Sequence, residues 1–400
     1  MSIMTRAHTA GTADVLVLGG GIIGLAVAWR ARQRGLSVTV LDPDPGRGAN
    51  RVAAGMLAPV TELQYGEEPL LRLGLESNAR WAGFAAELAE ASGLPGGPGE
   101  VLGYRACGTL AVALDADDRA ELRELHAFQL RLGLDAQWLT GRECRRLEPM
   151  LAPSVRGGLL AAADHQVDGR RLGAALVAAC ERSGVRLERV RASRVDVRDG
   201  RAVGAVAEDG RVFAAGQTVV AAGSWSQALC PELPVRPVKG QVLRLRMAGP
   251  YAGFLSRNLR AVVRGVHLYL VPREDGELVV GATSEERGYD TAVTAGGVWE
   301  LLRDAHELLP GITELELVET SAGLRPGSPD NAPLLGATSV PGLAAATGHH
   351  RNGVLLTPVT ADLVASYLAE GTMPEAGAAF SPARFSHSSS HSHRSPEVTA

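Results

Sequence analysis

An α/β plus α+β architecture is expected: a Rossmann-like nucleotide-binding domain joined to one built on an antiparallel sheet. Three observations predict it. A βαβ unit with a glycine-rich turn occupies residues 14–41. A second apolar strand, Thr218–Ala222, ends in Gly223. After Pro237 the texture changes, and Gln241–Met247 and Val266–Val271 alternate apolar and polar residues, as half-buried antiparallel strands do. The 400 residues fit roughly two to three domains at about 150 residues each.

Residues 1–13 are polar and small and read as a flexible extension. Asp14–Leu18 is a buried strand, Ile22 to Arg34 a helix stopped by Gly35, and Ser37–Leu41 a strand rich in β-branched residues. Helices are expected over 69–92 and 117–133, separated by the loop Leu94–Gly99. Leu172–Arg182 is a helix preceded by Asp168 and Gly169. Val195–Val197 and Val203–Val206 flank a hairpin turn. Glu274–Glu277 is a turn into Leu278–Gly281, and Ala295–Leu309 a helix stopped by Pro310 and Gly311. A strand over Glu314–Glu319, continuing to Leu324 with Arg325 at its end, a short strand at 343–347 and a helix over Val354–Ala369 follow. The Ser/His/Pro-rich tail, 375–400, reads as disordered, its histidines (His387, His391, His393) as solvated.

With 46% hydrophobic and 21% charged residues, the chain can bury a sizeable core. The net charge of −4 argues against bulk nucleic-acid binding, which leaves a basic footprint. Lys239 is the single lysine, so Schiff-base chemistry has one candidate. The four cysteines (Cys107, Cys144, Cys180, Cys230) form no CxxC and read as incidental thiols; no metal site is expected. The longest uncharged apolar run, Val15–Trp29, is shorter than the roughly 20 residues of a spanning helix, and its glycines argue against a signal peptide. The expectation is a soluble, cytoplasmic protein with no membrane partner.

Gly19-Gly20-Gly21-Ile22-Ile23-Gly24 is a GxGxxG that directly follows a strand and opens a helix. Gly19 permits the tight turn, Gly21 lets backbone approach a pyrophosphate, and Gly24 lets helix and strand pack closely. The helix N-terminus offers unpaired N–H groups to phosphate. Asp42 ends the second strand, where an acidic side chain can accept hydrogen bonds from a ribose. The motif fits NAD or FAD. A single fingerprint, together with distant glycine-bearing segments (Ala53–Met56, Ala221–Gly223, Gly348–Gly353), favours a large buried FAD.

Taken in order over about residues 14–372, eight segments resemble the D-amino-acid-oxidase-like flavoprotein family. They are the fingerprint, Ala53–Pro59, Val219–Trp225, Pro237–Gln241, Tyr269–Arg273, Gly281–Thr283, Gly323–Pro326 and Gly348–Gly353. The resemblance implies an FAD-binding Rossmann-like domain interleaved with an antiparallel-sheet substrate domain, with FAD bound noncovalently. It places residues 14–90, 155–236 and 322–374 in the FAD-binding part and 91–154 and 237–321 in the substrate part. The cofactor contacts it implies are Gly19, Gly21, Ile22, Ile23, Gly24, Asp42 and Pro43; Ala49, Asn50, Ala54, Gly55 and Met56; Ser193, Ala222 and Gly223; and His349, His350, Arg351, Asn352, Gly353, Val354 and Leu355. Three places depart from the family pattern and bear on pocket size: His350 for an aromatic, Asn50-Arg51-Val52 for a Ser- and Ala-rich run, and Ser284 for a larger apolar residue.

Amine oxidation at a flavin needs orientation and electrostatics, and no protein nucleophile. A carboxylate is best held by the planar fork of an arginine. The resemblance assigns Arg325 that role, with Tyr269 sharing the carboxylate, although Tyr269 also fits a core strand aromatic. Arg351 is more ambiguous; the resemblance implies a place by the flavin and the substrate entrance. His267 shares a strand face with Tyr269 and either lines the pocket or is a satisfied core histidine. Lys239 fits a place near the flavin or a strand start. The N-terminal end of the helix from Val354 would face the flavin and stabilise its reduced anion. The activity implied is oxidation of glycine by O₂ to the imine, hence glyoxylate and ammonia, with H₂O₂. The imine would feed thiamine thiazole synthesis through a partner, and a homo-oligomer is expected. Sarcosine, small D-amino acids or a non-oxygen electron acceptor are the alternatives.

Overall fold

The computed structural model describes residues 9–385. Two eight-stranded sheets organise it. The first runs 334–337, 343–347, 212–220, 9–18, 38–41 and 186–188, with the hairpin 192–198/201–207 attached to 212–220. Its five central strands, 343–347 to 186–188, are parallel. Strands such as Val38–Leu41 are buried throughout, as parallel strands covered on both faces must be. The helices Ile22–Gln33, Glu68–Ser92, Gly169–Ser183 and Thr357–Glu370 pack on one side, around Leu25, Trp29, Trp81, Leu176 and Val359.

The second sheet runs 316–327, 236–246, 277–281, 266–272, 258–263, 109–113, 157–161 and 137–140. It is antiparallel except where 258–263 pairs with 109–113 in parallel. One face, with Leu243, Leu245, Leu268, Leu270 and Val280, packs on Leu301, Ala305 and Leu308 of the helix Ala295–Leu308. Because side chains alternate, Val242, Tyr269 and Gly281 fall on the opposite face.

Several expectations need correction. The first strand begins at Thr9, not Asp14, because Thr9 and Ala10 continue the ladder onto Val212 and Phe213. Pro98–Leu102, expected partly as loop, is a short helix closed by Gly103. Gly157–Ala161 and residues 322–327 belong to the antiparallel sheet, where they pair with Thr109–Ala113 and Arg236–Gln241, rather than to the nucleotide-binding part. The last long helix starts at Thr357, not Val354; Pro358, with no N–H, suits its first turn, where donors lack partners. Residues 375–385 are ordered: Phe380 is in the main core and Arg384 pairs with Asp330 at 2.8 Å. The tail histidines, like residues 1–8, lie outside the described residues. No described helix is long and apolar enough to cross a membrane.

Candidate active site

A cavity of about 1430 Å³ lies between the two sheets. That exceeds the roughly 300–1,000 Å³ of a site for one drug-sized ligand. At one end it meets the glycine turn. Gly19 has φ +111°, and a β-carbon there would lie 2.4 Å from the Ala221 carbonyl oxygen. Two strand ends therefore meet at a contact only glycine allows. A β-carbon on Gly24 would lie 1.9 Å from the Gly19 carbonyl, so Gly24 serves helix–strand packing and does not line the cavity. Gly21 faces open space and caps the helix Ile22–Gln33 without a side chain, leaving first-turn N–H groups for a ligand.

Asp42 lines the cavity, but its carboxylate also organises the turn. Oδ2 accepts from the Gly20 N–H at 2.7 Å and Oδ1 from the Asp44 N–H at 2.8 Å. Ile22, Ile23, Pro43, Ala49, Asn50, Ala54, Gly55 and Met56 line the same region. So do Ser193, Ala222, Gly223, His349, His350, Arg351, Gly353 and Val354. Asn352 and Leu355 do not: both turn toward a small separate pocket against the helix Glu68–Ser92. Asn50 Oδ1 and His350 Nδ1 are buried without a partner among the described residues. A glycine cradle, free helix amides and orphaned polar atoms around one large cavity fit FAD.

The other end of the cavity rests on the second sheet. Val242, Gly281, Tyr269, Arg260 and Ala111 form one row across five strands, each directly opposite the next. Two glycines in this floor make room for polar side chains. A β-carbon on Gly281 would come within 2.5 Å of the Tyr269 hydroxyl, and one on Gly240 within 2.4 Å of Arg325 Nη1. The phenol and the guanidinium thus lie flat over neighbouring strands. Arg325 sits within the strand Glu316–Gly327, not after it, and donates to the Thr283 carbonyl at 3.1 Å. His267 also lines the cavity. Lys239 does not; it is buried and paired with Asp290 at 2.8 Å.

Five arginines line the cavity, and four have acidic partners. Arg260 pairs with Glu62 and Arg351 with Glu67, each at 2.6 Å, while Arg47 and Arg191 lie 3.7 and 3.5 Å from Asp44 and Glu208. Arg325 alone has no carboxylate partner among the described residues. Burial raises the Tyr269 phenol above its usual range, against the pull of Arg325, so it stays protonated at neutral pH. Burial lowers His267, helped by Arg260. Sequence reasoning missed Arg260, Glu62, Glu67 and Asn331. Their signal was weak, since each looks like an ordinary surface polar residue until the sheets bring them together.

Burial pushes His349 down to about 3 from 6.5. Its Nε2 lies 3.0 Å from Thr360 Oγ1. Below pH 6.5 the unfolded chain takes a proton there that the folded one refuses, so stability falls as pH falls. At pH 5 the loss is expected to be about 2 kcal/mol. Urea titrations at pH 7 and 5 should show this difference shrinking in His349→Asn. A slope unchanged by the substitution would assign the pH dependence to other groups.

The fold and cavity define a dinucleotide-binding oxidoreductase. Residues 14–367 match the model of the family described as FAD dependent oxidoreductase (DAO), and the chain belongs to that family. It is similar to the bifunctional protein ThiO/ThiG of Synechocystis sp., 39% identical over 378 residues, covering 94% of this chain and 54% of that protein. The chain thus spans about half the length of the ThiO/ThiG relatives it matches. It is 34% identical to a glycine oxidase of Geobacillus kaustophilus, over 88% of this chain and 92% of that one. The crystal structure of glycine oxidase from that organism superposes with a TM-score of 0.85 at 33% identity, covering 94% of this chain and 99% of that one.

Proposed function

We propose that the chain oxidises glycine with O₂, giving the imine, which hydrolyses to glyoxylate and ammonia, and H₂O₂. The observation that carries this reading is Arg325, the one cavity arginine without a carboxylate partner among the described residues. Arg325 lies flat on Gly240 beside the protonated Tyr269, in the same cavity as the glycine turn. The planar fork binds one carboxylate and fixes its direction, and the Tyr269 hydroxyl donates to the same group. Clamping the carboxylate orients the α C–H bond, and apolar walls such as Val242, Ala282 and Ala346 exclude water. A bound FAD would supply the acceptor for the hydride that the clamped α-carbon presents. The turn at Gly19–Ile23 and Asp42 would hold its nucleotide half, and Ala49–Met56, Ser193, Ala222, Gly223 and His349–Val354 the rest, noncovalently. Gly24 supports this by packing. Because the last helix begins at Thr357, the backbone of the turn 350–356 takes the place expected for its N-terminus.

In this reading, the parallel sheet with its helices is the FAD-binding part and the second sheet the substrate part, with the strand boundaries given above. The ThiO/ThiG relatives support thiazole synthesis as the consumer of the imine, through a partner. Sarcosine and small D-amino acids remain within reach of the same clamp, as does an acceptor other than O₂. The test is peroxide release under air by the FAD-loaded protein with glycine, sarcosine, D-alanine and methylamine. Peroxide from glycine and none from methylamine is expected. Flavin bleaching by glycine without peroxide would assign another acceptor, and no bleaching by any amino acid would overturn the reading. Acid precipitation should leave the yellow colour in the supernatant.

A further inference from the structure

We propose that Glu62 sets the number of carboxylates the substrate may carry: by pairing with Arg260 it leaves the substrate end of the cavity one free guanidinium and so excludes N-carboxymethyl amino acids. This deepens the reading above and rests on it. Arg260 is directly opposite Tyr269 on the neighbouring antiparallel strand. Directly opposite side chains share a face, with β-carbons about 4.5–5.5 Å apart. Arg260 is therefore the next polar group along the floor from the carboxylate clamp, and it and Glu62 line the same cavity as Arg325 and Tyr269. Its Nη1 donates to Glu62 Oε1 at 2.6 Å, and both side chains are largely buried.

Glu62 is held rigidly for this task. It follows Val60 and Thr61, whose N–H groups and the Thr61 hydroxyl donate to the buried Asp164 carboxylate at 2.7–3.2 Å. The Glu62 N–H donates to the Ala58 carbonyl at 3.0 Å. Swinging Glu62 away to admit a second anion would break this turn or strand its charge. Arg351, the third cation at this end, is neutralised in the same way by Glu67, which also accepts from Asn331 Nδ2 at 2.9 Å. A second substrate carboxylate beside Glu62 would meet like charge, an unfavourable contact and a common route to specificity.

The test compares sarcosine with iminodiacetate, which replaces the N-methyl group by N-carboxymethyl. In Glu62→Gln the kcat/KM ratio of iminodiacetate to sarcosine should rise at least about tenfold. Binding of acetate and malonate, read from the flavin absorption of the loaded protein, should shift toward malonate by a similar factor. Glu62→Gln/Arg260→Met should return both ratios to near the wild-type value. Arg260→Met alone, which leaves Glu62 unpaired, should move the malonate-to-acetate ratio the opposite way. An unchanged ratio in Glu62→Gln, or a gain that persists in the double variant, overturns the proposal. If the wild type oxidises neither glycine nor sarcosine, the proposed function fails, while the malonate-to-acetate ratios still decide the role of Glu62.

Discussion

Arg325→Ala is expected to lower kcat/KM for glycine by roughly 10²–10³-fold or more while FAD remains bound. The guanidinium is the cavity's one arginine without an acidic partner among the described residues, so in the proposed function it would carry the substrate's charge compensation by itself. Removing one member of a desolvated ion pair costs about 3–5 kcal/mol, because the other charge stays behind. Arg325→Lys keeps the charge and loses the fork. Gly240 makes a flat slot for a planar group, which an ammonium does not fill, so activity should fall by less than in Arg325→Ala but clearly. A carboxylate-free amine should be a poor substrate of the wild type and lose little further. The measurement is kcat/KM for glycine and methylamine in the three proteins. Near-normal glycine turnover by FAD-loaded Arg325→Ala would move the carboxylate role to Arg351, after release from Glu67.

The second large effect is on stability. Arg273 is buried at the end of the strand Val266–Pro272 and joins the second sheet to the cofactor loop. Its Nη2 donates to the Ala54 carbonyl at 2.6 Å, and Nη1 to Gln166 Oε1 at 2.6 Å and the Val167 carbonyl at 3.1 Å. Burial acts to raise the Asp168 carboxyl, but Arg273 and the amides of Arg171 and Arg170 outweigh it and hold the group below its usual range. Next to Arg273, Gly55 has φ +74°, and a β-carbon there would lie 1.8 Å from the Val167 oxygen. Arg273→Met would leave three acceptors unsatisfied and Asp168 short of its cation. A loss of about 3–5 kcal/mol in urea unfolding is expected. FAD content should fall with it, since Ala54 and Gly55 line the cavity. A loss below about 1 kcal/mol would show that water replaces the guanidinium at these carbonyls.

Much of the fold was legible because its signals are local. The strand–turn–helix at 14–34 is written in an apolar run, three spaced glycines and a helical period, and the structure keeps it with the strand extended back to Thr9. Alternation after Pro237 located the second sheet, because a strand buried on one face must alternate. Asp168 precedes a helical run in the sequence, and in the structure it caps that helix, which starts at Gly169, its side chain accepting from the Arg170 and Arg171 N–H groups. Strand partners were not legible. Gly157–Ala161 and residues 322–327 joined the antiparallel sheet because pairing depends on what lies beside a strand, which no period within it reports.

The site divides in the same way. The glycine turn could be named from the sequence because its spacing carries its chemistry, whereas Arg325 and Tyr269 were named through the resemblance of their segments to the flavoprotein family. Their arrangement could not: the phenol and guanidinium lie flat only because Gly281 and Gly240, on other strands, leave room beneath them. The charge state of the cavity was decided later still. Glu62 and Arg260 are 198 residues apart, as are many charges that never meet. Tertiary packing put them within 2.6 Å and, with the pairing of Arg351 to Glu67, made Arg325 the odd cation out. The sequence by itself determined where a nucleotide-binding turn forms, because that is a property of residue type and local spacing, and its resemblance to the family pointed to the arginine and tyrosine for a carboxylate. Which charges cancel, and so which one remains for the substrate, depends on distances through space that only the folded chain defines.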